Sequence, residues 1–105
     1  MYDVRDATIV QDLSIEEVGR RIRIAARVQD WEVEELEPLV ILISKSHTKH
    51  GATSTVRYDR NSFSIELRGS HNFKEGEGRI HKLYNQWIRD LERGIHRELS
   101  LAADR

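Results

Sequence analysis

Three short stretches carry residues whose types and spacing could do chemistry. "RRIRIAARV" (20–28) is the first. As a strand it sets Arg21, Arg23 and Arg27 on one side, and Arg57 and Arg68 from a later hairpin can join them. Such a sheet face could contact the phosphates of RNA or DNA. Stacking aromatics for single strands are scarce: Phe63 belongs to a core pattern, and only Trp31 and Tyr58 remain. The second stretch, "KEGEGRIHK" (74–82), places Gly76 and Gly78 before a helix, whose exposed amides can hold an anion with help from Arg79, His81 and Lys82. Glu75 and Glu77 oppose it, and the fuller phosphate-loop and dinucleotide patterns are missing, so a plain helix entry is the favoured reading. The third, "SHTKH", offers His47 and His50, two ligands short of a zinc site unless Asp59, Glu66 or His71 joins them. A solvated loop is the simpler reading. No metal and no cofactor are expected. No serine, histidine and acid arrangement with a recognisable local motif appears, which points away from an enzyme.

What these residues can do depends on the elements beneath them. Ser14 and Glu17 have capping-box spacing and Gly19 stands where a helix could stop, which predicts one or two helical turns. Beyond Gly19, a helix would gather Val18, Ile22, Ala25 and Ala26 on one face but leave Ile24 and Val28 elsewhere. A strand collects Ile22, Ile24, Ala26 and Val28 on one side and the arginines on the other, and is the reading adopted. "QDWEVEELEP" continues the alternation after a phase slip that a bulge near Gln29–Asp30 would produce. "LVILIS" predicts a central strand covered on both faces. "TSTVRYD" (53–59) and "SFSIELR" (62–68) predict a hairpin turning near Arg60–Asn61, with Phe63, Ile65 and Leu67 on one face. "ATIV" (7–10) is a short candidate strand.

The longest pattern is Ile80, Leu83, Tyr84, Trp87, Ile88, Leu91, Ile95 and Leu99, a wide apolar stripe over about five helical turns. It must be buried, first against the sheet. Any remainder would pack on a second copy or another protein. The elements add up to an α+β domain spanning residues 1–105: a short N-terminal helix, an antiparallel sheet of about four strands and a long C-terminal amphipathic helix on one face.

"EVGRRIRIAARVQDWE" resembles the opening strand of some OB-fold proteins, and the order of helix, three strands and long helix is similar to that of double-stranded-RNA-binding domains. Both resemblances imply nucleic-acid contact. The start of the long helix, "GRIHKLYNQW", departs from the lysine-rich start those RNA-binding domains use on phosphates.

Composition narrows the classes. The chain has 105 residues, 33% of them charged, and a net charge of −1, so a polyanion could be held only by local segregation of charge. Absence of cysteine removes disulfides and thiol chemistry and fits a cytoplasmic or virion-interior setting. The first residues form no apolar signal core and no run reaches membrane-spanning length, so the mature chain is expected to be the whole chain, with no membrane contact. The acidic run Asp30–Glu37 complements the arginines. The function expected is therefore a non-enzymatic interaction module, a small accessory or assembly protein that binds a protein partner or itself through the uncovered sheet face and the helix edge. An RNA- or DNA-binding module is the alternative.

Overall fold

The computed structural model describes residues 3–47, 50–71 and 77–103. Five strands, β1 (Val4–Thr8), β2 (Glu32–Glu37), β3 (Val40–His47), β4 (His50–Tyr58) and β5 (Ser62–His71), form an antiparallel sheet in the order β1-β5-β4-β3-β2. Helix α1 (Ile15–Val28) lies between β1 and β2 in the chain, and α2 (Glu77–Ala103) closes it. The architecture is the expected α+β, with one strand more.

The segment 20–28 is helical, not a strand. Ser14 caps α1, its hydroxyl accepting from the Glu17 amide at 3.1 Å. Gly19 does not stop the helix. It lies inside the helix, and its lack of a side chain makes room for the Tyr58 ring, since a Cβ there would stand 2.8 Å from Cζ. The true stop is Asp30 at φ 68, where the Asp30 amide donates to the Arg27 carbonyl and the Trp31 amide to the Ala26 carbonyl. That pair of bonds is a Schellman ending, made with aspartate where glycine is usual. The helix buries Val18, Ile22, Ala25 and Ala26, while Val28 is 69% exposed.

Sheet register explains the two faces. Ile41, Val56 and Ile65 line up across β3, β4 and β5, as do Ile43, Ser54 and Leu67, and these positions face the helices. The intervening positions, Val40, Leu42, Ser44, Thr53, Thr55 and Arg57, face the other way. No helix among the described residues covers that second face. The expectation that β3 is covered on both faces is thus corrected: the helices take one side only.

In α2, 27 residues span about 40 Å, nearly the 44 Å long axis of the molecule. Tyr84, Trp87, Ile88, Leu91, Ile95 and Leu99 are all buried within the chain. Helix α1 adds the surface that the sheet alone lacked, so these six residues are covered within the chain, Leu83 is half-buried, and the Ile80 side chain lies outside what is described. No helix among the described residues is long and apolar enough to cross a membrane.

The β2–β3 turn carries a local strain. Leu39 follows Pro38 at φ 66, a left-handed conformation that costs a side-chain-bearing residue about 1–2 kcal/mol. Leu39→Gly removes that cost but adds unfolded-chain entropy and loses a little apolar contact. We expect a net gain of about 0.5–1 kcal/mol in denaturant unfolding.

Candidate functional site

The predicted arginine row does not exist as one surface. Arg21, Arg23 and Arg27 stand on α1, on the helix side of the sheet, whereas Arg57 and Arg68 stand exposed on β4 and β5. Arg21 is buried at 6% exposure, its Nε donating to Glu17 Oε2 at 2.6 Å and its Nη1 to Glu98 Oε1 at 3.2 Å. It ties α1 to α2. The hydrogen bond from Arg21 also holds the Glu17 carboxyl below the usual carboxylate range. Arg23 pairs with Glu35 of β2 at 3.1 Å. Arg27 alone of the three is exposed. The complementarity between arginines and acidic run is therefore used partly inside the fold.

Arg57 borders a polar depression of about 520 Å³ with Asp3, Arg5, Asp6, Asp59 and Glu66. Four carboxylates against two guanidiniums make it a poor phosphate site. Arg68 falls at the bulge where β4 and β5 lose register, between Leu67 and Gly69.

Of the second candidate group, Gly76 lies outside the described residues. Gly78, Arg79 and His81 belong to the first turns of α2, whose side chains are not described there, and Lys82 is exposed. His47 and His50 oppose each other in the β3–β4 register, not in an extended loop. Asp59 lies beyond the other end of β4. Among the described residues no three His, Asp or Glu side chains gather as a metal site.

One feature was missed in the sequence, and a second was expected only as an uncovered sheet face without its present lining. The first is a cationic stripe on α2, Lys82, Arg89, Arg93 and Arg97, opposite its buried stripe and all exposed. Spacings of seven, four and four residues put them on one helix side, a signal that could have been read. Asp90 tempers it by pairing with Arg93. The second is the open sheet face with the β2 edge beside it. Leu42, Ser44 and Thr53 are half-buried there, Thr55 is buried between Leu42 and Glu66 with its hydroxyl unpartnered, and Glu32, Glu34 and Arg57 are exposed. Leu36 and Leu39 add exposed apolar side chains at the β2–β3 tip.

On the covered side, the Lys45 amine sits 5.0 Å from the Trp87 ring centre and 5.8 Å from that of Trp31, the two indoles meeting edge to face at 6.1 Å. Burial lowers its pKa, which Asp30 and Asp90 oppose. Tyr84 and Ser54 share a buried hydrogen bond of 3.0 Å, and burial pushes the phenol up to about 12. Because the folded-state value is raised, the stability it gives is complete below about pH 10 and lost as pH rises towards 12. Tyr84→Phe should therefore cost about 1 kcal/mol at neutral pH, and its melting temperature should approach that of the wild type between about pH 10 and 12. Parallel melts across that range check it.

Comparison of the chain with protein-family models, with curated proteins and with solved structures finds no match.

Proposed function

We propose that the protein is a non-enzymatic interaction module that engages a protein partner through the open sheet face and its acidic β2 edge. The observation that carries this reading is the apolar run of β3. A strand in a sheet with one wet face ordinarily alternates apolar with polar residues, yet on the side that no described helix covers Leu42 is apolar and half-buried, beside Val40, which is itself 5% exposed. Around them lie small hydroxyl side chains, Ser44, Thr53 and Thr55, ringed by Glu32, Glu34, Glu66 and Arg57. A small apolar centre within a polar rim is the usual anatomy of a protein interface.

The test is chemical cross-linking and affinity capture from a nuclease-treated host-cell extract, with the wild type beside Leu42→Arg. The charge on the half-buried Leu42 should remove the captured partner while circular dichroism stays unchanged. An identical captured set for both chains would sink the reading.

The α2 stripe favours a second reading, nucleic-acid binding, at a site other than the one expected. Titration of a generic RNA and DNA at rising salt decides it. Affinity that falls steeply with salt and weakens in Arg93→Glu/Arg97→Glu supports it, whereas no binding even at low salt excludes it.

A further inference from the structure

We propose that the outer edge of β2 takes up an extended cationic peptide segment as a sixth strand of the sheet. This deepens the interaction reading above and rests on it. Sheet order leaves β2 with a partner on one side only among the described residues, so its outward amides and carbonyls form an unpaired ladder. Such a ladder recruits a strand unless something blocks it. The opposite edge is poorly suited, since β1 has five residues, loses register between Val4 and Ala7 and holds Asp6 at φ 49. β2, six residues long, also shifts register, but only at its far end between Glu35 and Glu37, and it pairs regularly with β3 over the four residues Glu32 to Glu35.

Charge selects the occupant. Glu32, Glu34, Glu35 and Glu37 are all exposed. Glu32 and Glu34, two residues apart, point to the open face, and Glu35 points to the helix side, where Arg23 partly neutralises it. An incoming strand with lysine or arginine at alternate positions would set cations opposite Glu32 and Glu34, each such cross-strand pair being favourable. A second copy pairing through its own β2 would set glutamate against glutamate, and a polyanion would be repelled along the whole strand. Leu36 and Leu39, 52% and 40% exposed, offer an apolar foothold at the tip.

The test is fluorescence anisotropy with a labelled peptide of alternating lysine and threonine, the same peptide N-methylated at alternate amides, and a glutamate-for-lysine counterpart. Expected are binding of the first peptide by the wild-type chain, no binding of the acidic one, and losses of roughly tenfold or more on N-methylation and in Glu32→Lys/Glu34→Lys. Amide hydrogen exchange should slow within 32–37 on binding. Both side chains are exposed, so the double variant should fold, as circular dichroism will check. Binding that survives N-methylation is mere charge adsorption and overturns the proposal, as does binding indifferent to the double variant. If the wild type ignores the peptide while capture sensitive to Leu42→Arg persists, strand addition fails and the interaction reading stands. If both fail, both fall.

Discussion

Ile22→Ala is expected to cost about 3 kcal/mol in denaturant unfolding, while Val28→Ala, six residues on, costs under about 0.5 kcal/mol. The contrast follows from the helical path of 15–28. Ile22 is fully buried in the core, with Val18 and Ala26 on the same side of α1, and Val28 is left largely in solvent at the last turn. On a strand the two positions would share one face, and their truncations would cost similar amounts. Equal losses at the two sites would therefore reject the helix as well as the magnitudes. Ile24, half-buried, should fall between them. A cavity at Ile22 cannot be refilled cheaply, because its side of α1 is hemmed in by the sheet and by α2.

Trp87→Ala should be at least as damaging, about 3–5 kcal/mol. Trp87 is 7% exposed, stands edge to face against Trp31 and lies under the Lys45 amine. The substitution removes a large apolar side chain, an aromatic pair and half of the ring surface that faces the cation. It also opens the lysine to water. The Lys45 pKa, lowered mainly by burial, should move back up towards an ordinary lysine value, which a titration by heteronuclear NMR of the side-chain amine would follow. Trp87→Phe keeps an aromatic face and should lose much less stability. A Lys45 titration unmoved by Trp87→Ala would mean that the indole is not what excludes water there.

Much of the fold was legible because periodicity and burial agreed. The stripe from Tyr84 to Leu99 has no strand interpretation, and Phe63, Ile65 and Leu67 alternate as a half-covered strand must. Segment 20–28 was not legible, since Ile22, Ile24, Ala26 and Val28 satisfy a period of two while Val18, Ile22, Ala25 and Ala26 satisfy one of 3.6. Gly19 tipped the reading the wrong way. Its reason for being glycine is Tyr58, 39 positions along the chain, and no local rule reveals that contact. The real terminator, Asp30, carries no glycine signal at all.

The candidate surface was legible only as an uncovered sheet face, and its lining stayed hidden for a related reason. An arginine looks the same in sequence whether it faces solvent or, like Arg21, is enclosed by a carboxylate 77 positions away. Which side of β3 stays open depends on where α1 and α2 settle, and α1 was half missing from the expected element list. The apolar run "LVILIS" held the clue. It implied two covered faces, and the fold supplies one.

The placement of α2 has a consequence for the chain as it is made. Its buried residues, Tyr84 to Leu99, are synthesised after the strands whose apolar side they roof, with Ile43, Phe63 and Ile65 among the residues covered. A nascent chain stalled after β5 would hold a finished hairpin with its greasy side uncovered, the condition in which half-built proteins adhere to one another. Closure of the core must then await the emergence of α2, and a premature stop before Trp87 should yield insoluble chains instead of a smaller working domain.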